Sequence, residues 1–270
     1  VTIIRPPAVA GRFYPANPAE LTETIREYTR SDALPIHAIG AVIPHAGYMY
    51  SGHVAGAVYS RILLPQRMIV LCPNHTGMGP PLSIMKAGSW QTPLGLMEID
   101  EEISEALIQA DPSLADDAAA HRFEHATEVQ LPFIQFLAGA AARFVPITLG
   151  TANRSDLEVL GNAMAQVIRN VDSPMLMIAS SDMNHYESDS VTRAKDRKAI
   201  DRMLALDARG LYDTVRHERI SMCGFGPATS MLVAATQLGA SRTELVKYAT
   251  SGEVSGDFGH VVGYAGIAVV

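Results

Sequence analysis

Short, unbroken apolar runs recur along this chain and alternate with longer amphipathic stretches, which leaves few architectures open to it. The runs fall at residues 39–43, 68–72, 144–149, 175–179, 245–249 and 261–269. A strand with one wet face alternates apolar and polar residues, whereas a strand buried on both faces reads as a continuous apolar run. Runs this short do not by themselves distinguish strand from helix; the helical patterns between them do. Asn17, Pro18 and Glu20 open a first helix with a capping side chain, a proline at the first position and an acid where a capping box wants one. Leu21, Ile25 and Tyr28 follow at helical spacing. Asp100 caps a second clear helix running to about residue 110, with Glu101 and Glu102 at its positive end. Further helices read at 53–63, 127–137 with Pro132 early, 155–170, 191–206 and 226–238. The predicted fold is therefore α/β, one domain over residues 1–270, with a central largely parallel or mixed sheet and helices on both faces.

Size and composition agree with this. The chain has 270 residues, of which 48% are hydrophobic, enough for one sizeable core. Neither an internal repeat nor a low-complexity linker divides it. The formal net charge of -7 and the lack of a Lys/Arg run argue against nucleic acid as a partner. The longest apolar tail, 261–270, is broken by Gly263, Tyr264 and Gly266 and is shorter than the roughly 20 residues of a membrane-spanning helix, so no membrane association is expected. Two cysteines, Cys72 and Cys223, make no disulfide framework, and a cytoplasmic, reducing setting is expected.

Three of the apolar runs end in a polar motif containing histidine. Ala41, Val42 and Ile43 lead into Pro44, His45, Ala46, Gly47 and Tyr48; Ile69, Val70 and Leu71 lead into Cys72, Pro73, Asn74 and His75; Met177, Ile178 and Ala179 lead into Ser180, Ser181, Asp182, Met183, Asn184 and His185. In open α/β sheets, ligands bind outside the carboxyl ends of the strands. A single histidine after a strand is most often a loop residue or a hydrogen-bonded cap. Three in equivalent positions, on strands that are parallel neighbours, would converge. Neutral imidazole is the commonest metal ligand, and two histidines with one anionic ligand leave open positions on a divalent metal.

Two residues are candidates for the anionic ligand. Asp182 lies close to His185. Cys223 precedes the helix expected from residue 226, and a thiol at a helix start has a lowered pKa, although most free cysteines are small buried hydrophobes. Cys72, at the end of a buried strand, fits that bland description better. His125 and Glu128 stand three apart, close enough to share a helix face, and are placed around the site, where acids and histidines orient ligands. No P-loop or dinucleotide fingerprint is present, and Ser180 with Ser181 lacks the glycines of a nucleophile elbow.

Taken together, these motifs resemble the Memo family. They are Pro44 to Tyr48, Pro73 to His75, Glu124 and His125 followed by Leu131, Pro132 and Phe133, Ser180 to Asp182 with His185, Cys223 with Gly224, and the opening Ala10 to Ala16. The resemblance implies a fold similar to class III extradiol ring-cleaving dioxygenases. Those enzymes hold Fe(II) with two histidines and a glutamate and use a further histidine as acid/base. By position it implies His45, His75 and Cys223 as metal ligands, with Cys223 in the place of the glutamate. It implies His185 as the acid/base histidine with Asp182 beside it, and Phe13, Tyr48, His125 and Glu128 in the pocket or behind the ligands. One divalent metal ion is expected, Fe(II) first, with zinc or copper as the softer alternatives that a thiolate favours. The thiolate is also oxidisable, so catechol cleavage does not follow from kinship of fold.

Three functions fit this reading. One is a dioxygenase-like oxidoreductase acting on a small aromatic or enolate substrate. Another is a zinc-dependent hydrolase or lyase. The third is a non-catalytic module that binds a ligand or phosphopeptide. The resemblance also implies a functional link to AMMECR1-type and radical-SAM proteins, whose genes commonly neighbour those of the family in prokaryotes.

Overall fold

A computed structural model describes residues 3–270. Its strands are β1 (Ile4–Arg5), β2 (Gly40–Ile43), β3 (Arg67–Pro73), β4 (Leu82–Ile84), β5 (Ser89–Thr92), β6 (Gly95–Ile99), β7 (Ala115–Asp116), β8 (Arg143–Leu149), β9 (Met175–Ser180), β10 (His185–Glu187), β11 (Thr243–Thr250) and β12 (Val261–Val269). Its α-helices are α1 (Pro18–Tyr28), α2 (His53–Arg61), α3 (Glu101–Ala110), α4 (Leu131–Ala138), α5 (Arg154–Arg169), α6 (Asp189–Leu204), α7 (Ala208–His217), α8 (Phe225–Gln237) and the single turn α9 (Gly252–Ser255). The strands form one open mixed sheet with the order β1-β5-β6-β8-β3-β9-β2-β12-β10; β11 pairs with β12, and β4 pairs with β7 and β8. This is the expected α/β architecture, and an open sheet of this kind is consistent with a dioxygenase-like fold.

The continuous apolar runs have the predicted cause. Along β2, β3 and β9, successive side chains enter two different cores. Val42, Ile69, Leu71, Met177 and Ala179 face one; Ala41, Ile43, Met68, Val70 and Ile178 face the other. Helices α3, α5, α6, α7 and α8 cover the first core, and α1, α2 and α4 cover the second. Each fully buried Val, Ile, Leu or Met among them stabilises the fold by about 1.5–3 kcal/mol.

The predicted caps are present. Asn17 Oδ1 accepts from the backbone of Ala19 and Glu20, and Asp100 Oδ1 accepts from Ile103. The helix expected over 127–137 is instead a 3-10 turn, Glu128–Gln130, followed by α4, with Pro132 in the first turn of the α-helix. The sequence reading did not anticipate α7 or the short strands β4 to β7.

What positions the site is the arrangement β3-β9-β2. All three strands are parallel and adjacent, with β9 between the other two, and their registers align Ile43 with Ser180 and Leu71 with Ala179. The three histidine-bearing motifs therefore leave the sheet side by side at one level, which is the condition under which they were expected to converge.

Candidate metal centre

His45 follows β2 by two residues and His75 follows β3 by two. His125 arrives from the loop before the 3-10 turn. One ring nitrogen from each of these histidines lies within 4.8 Å of the others. The ring centroids of His45 and His75 are 5.3 Å apart, those of His45 and His125 5.4 Å, and those of His75 and His125 4.6 Å. His45 is buried, His125 half-buried, and His75 faces solvent.

The hydrogen bonds around the rings decide where their protons sit. Ser180 Oγ donates to the Ala126 carbonyl at 2.7 Å and accepts from Gln130 Nε2 at 2.8 Å. Gln130 is itself oriented, its Oε1 accepting from Tyr59 at 2.9 Å. Only a lone pair on Ser180 is left for His45 Nδ1, 2.9 Å away, so His45 carries its proton on Nδ1 and presents a free lone pair on Nε2. His75 Nδ1 lies 2.8 Å from Glu124 Oε1, and a carboxylate only accepts, so this ring too is protonated on Nδ1. The Glu124 carboxylate also accepts from the backbone of His75 at 2.6 Å and of Ala126 at 3.0 Å. An outer partner on one ring nitrogen that frees the other is the usual setting of a metal-bound histidine.

Charge in the pocket is equally ordered. Burial and the neighbouring His75 push His45 down to about 3. Burial and His45 push His125 down to about 4, so both rings are neutral at ordinary pH. His75 is desolvated only in part, and its hydrogen bond to Glu124 holds it above its usual value. Glu124 is buried, and its bond to His75 brings it down to about 2, so it is ionised. The pocket thus pairs two neutral imidazoles with a third tied to an anion.

Cys223 lies just before α8, with its sulfur 3.3 Å from His45 Nε2 and 3.3 Å from the Asp182 backbone N–H that points at it. Burial and the nearby Asp182 carboxylate push its thiol up. Asp182 is buried, and its Oδ1 accepts from the backbone of His45 at 2.8 Å and of Ala46 at 3.3 Å. His185 is half-exposed, and its Nδ1 donates to the Ser221 carbonyl at 2.9 Å, leaving Nε2 free. The structure therefore brings Cys223 and Asp182 beside His45, and it brings a ring nitrogen of His125 within 4.8 Å of those of His45 and His75 rather than behind them.

The remaining expected residues divide. Phe13 packs its ring 4.8 Å from that of His125 and forms a wall of the pocket. Tyr48 is a core residue, its ring against Tyr14 and Phe133 and its hydroxyl donating to the Val129 carbonyl at 2.8 Å. Glu128 does not share a face with His125; it turns away, is fully buried, and anchors the N-terminal segment. It pairs with Arg5 and accepts from the backbone of Ala8 and Val9 and from the Tyr14 hydroxyl. Sequence reasoning missed Gln130 and gave no role to Ser180; it placed the motif from Glu124 to Glu128 around the ligands, and of its two acids Glu124 is the one that holds a ring. The acid immediately before His125 was the one available signal; nothing marked Gln130, which reads as an ordinary helix residue.

Comparison with known families matches residues 5–268 to the family described as Memo-like protein. The chain belongs to the Memo family. A MEMO1 family protein from Methanopyrus kandleri is 42% identical over 276 residues, covering 97% of this chain and 98% of that protein. One from Methanothermobacter thermautotrophicus is 40% identical, covering 97% and 99%, and one from Methanosarcina barkeri is 41% identical, covering 98% and 100%. The similarity to these relatives runs over nearly the whole of the chain.

Proposed function

We propose that this Memo-family chain is a metal-dependent oxidoreductase of the extradiol dioxygenase type, acting on a small aromatic or enolate substrate. The observation that carries the proposal is the convergence of His45, His75 and His125 with the outward nitrogens of two rings already committed to Ser180 and Glu124. The donor set fits one divalent ion. The lone pairs of His45 and His75 are free, and His125 and the Cys223 sulfur complete the set. Bound Fe(II), the favoured ion, would polarise an ortho-diol or enolate and supply the electrons for oxygen chemistry. His185 would take the substrate proton at Nε2 and return it later. Asp182 orients the His45 backbone through its Oδ1. Phe13 shields the His125 side of the pocket from water.

A second reading, a zinc-dependent hydrolase or lyase, is favoured by one observation: the third donor nearest the other two is a neutral histidine rather than a carboxylate, as in some catalytic zinc sites. In either reading the work is done in the cytoplasm on a small molecule, with a functional link to AMMECR1-type and radical-SAM proteins. No helix among the described residues is long and apolar enough to cross a membrane.

Metal analysis of anaerobically purified protein, followed by oxygen-uptake assays with Fe(II) and a panel of catechols and enolates, separates the readings. Iron near one per chain with substrate-dependent oxygen uptake is expected. Zinc with oxygen-independent turnover would replace the first reading with the second, and no metal even after reconstitution would overturn both.

A further inference from the structure

The residue after His185 is out of the ordinary. Tyr186 has a φ of 62°, in the left-handed region that bulky side chains rarely adopt. It marks a register shift between His185 and Glu187 in the pairing of β10 with β12. Bulges of this kind re-aim a side chain and are common next to active sites. Strain persists only where the surroundings over-determine it, and here the surroundings centre on Asn184.

Asn184 is fully buried, and every one of its polar groups is used. Its side-chain oxygen accepts from both the backbone and the hydroxyl of Ser221, each at 3.1 Å. Its amide nitrogen donates to Glu187 at 2.7 Å and Thr192 at 3.2 Å, which fixes the orientation of the amide. Its backbone N–H donates to Asp196 at 2.9 Å, and its carbonyl accepts from Gly263. The Ser221 hydroxyl, having given its proton to Asn184, accepts from the His185 backbone at 2.8 Å. The Ser221 carbonyl accepts from His185 Nδ1. The chain before α8 is thus tied to Asn184 and grips His185 at two points.

We infer that Asn184 and Ser221 are positioning residues that lock His185 in the tautomer protonated on Nδ1, so that Nε2 faces the pocket as a proton acceptor. The assignment of a catalytic task to His185 rests on the function proposed above; the lock itself does not. A carbonyl only accepts, so as long as Asn184 holds the Ser221 loop in place, the Nδ1 position of the proton is enforced. A general base must present its unprotonated atom to the proton it removes, and a ring free to flip would spend part of its time with the wrong atom forward.

The test is nitrogen-15 NMR of histidine-labelled, metal-free full-length protein at alkaline pH, where imidazole is neutral, with the His185 signals assigned by their loss in His185→Gln. A single Nδ1-protonated tautomer is expected in the wild type. Ser221→Ala should give averaged, mixed-tautomer shifts, and Ser221→Thr should restore the fixed form. Asn184→Ala should act in the same direction; because it removes four side-chain hydrogen bonds from a buried site and so puts folding itself at risk, Ser221→Ala is the deciding variant. A wild-type ring protonated on Nε2, or a Ser221→Ala ring as fixed as the wild type, overturns the inference. Under the oxygen-uptake assay, Ser221→Ala should lower kcat by about 10-fold or more, within the range that outer-sphere partners command, with little change in KM and rescue by Ser221→Thr. A correct tautomer in a protein without turnover would sink the proposed function and leave the positioning role standing.

Discussion

At their carboxyl ends, β2, β9 and β3 bring His45, Asp182 and His75 into one small space, which the loop carrying Glu124 and His125 and the chain before α8 carrying Cys223 complete. At their amino ends the same three strands open onto an apolar cleft of about 440 Å³, lined by Ala38, Leu63, Leu64, Pro65 and Met175. That cleft is mostly apolar, which is a usual mark of a ligand site. It nevertheless lacks converging donors. The strongest charge beside it, Arg67, is spent on Asp100 and Glu102. Chemistry here follows the convergence of lone pairs and protons, and volume alone is a poor guide to it.

Substitutions at the two ends should therefore differ in kind. The largest effect is expected from His45→Ala. Metal content should fall from about one per chain to near zero, a greater loss than the roughly 10–100-fold that outer partners cost, as read by elemental analysis after dialysis. Retention of full metal would place the ion elsewhere and erase the contrast between the ends.

A second effect concerns the stability that the polar end gives up. Burial holds Asp196 up at about 7, against an ordinary 3.8, despite its bond to Tyr248 and the nearby Arg193, with Glu187 adding to the upward shift. The folded state keeps this proton where the unfolded state has lost it. Stability should therefore fall as pH rises from about 4 to about 7, with a slope of up to about 1.4 kcal/mol per pH unit. Asp196→Asn should flatten that slope in urea titrations; an unchanged slope would mean that another group sets it.

Glu124→Gln removes the anion that His75 and His125 share but keeps a side chain of similar size. Metal affinity should drop about 10–100-fold, measured by competition with a chromophoric chelator. The smallest effect is expected at the amino end. Leu63→Gln, at a residue 41% exposed, should leave metal content untouched and stability within about 0.5 kcal/mol. A loss of metal there would show that the two ends are coupled.

The strands of the carboxyl end were legible because burial on both faces removes polar residues from them and makes each run stand out. The histidines at their ends were legible for the same reason, as polar exceptions after apolar runs. His125 was harder to place. It looked like part of a helix start, and only the long connection from β7, folded back over the sheet, carries it to the ligand nitrogens. Asn184 and Ser221 were invisible as a pair because buried asparagine and loop serine look like surface residues until their partners are known. Strands β4 to β7 are two to five residues long and lie toward the sheet margin, too short for a periodic signal. In α7 only Leu211 and Val215 are buried, which leaves its apolar stripe thin.

The candidate ligands come from four separate stretches of chain, around residues 45, 75, 125 and 223, and no two of them stand close in sequence. A zinc finger gathers its metal from near neighbours and folds around it. Here the candidate ligands come from distant parts of the chain, and the loops that must close before they meet are long, which is the slow, non-local kind of assembly. An ion held by all four stretches would therefore find its complete donor set only after the fold has formed. An ion that bound the native state more tightly than the unfolded chain would raise the melting temperature with the logarithm of its free concentration, and a cell short of that metal would then hold this protein intact, empty and less durable.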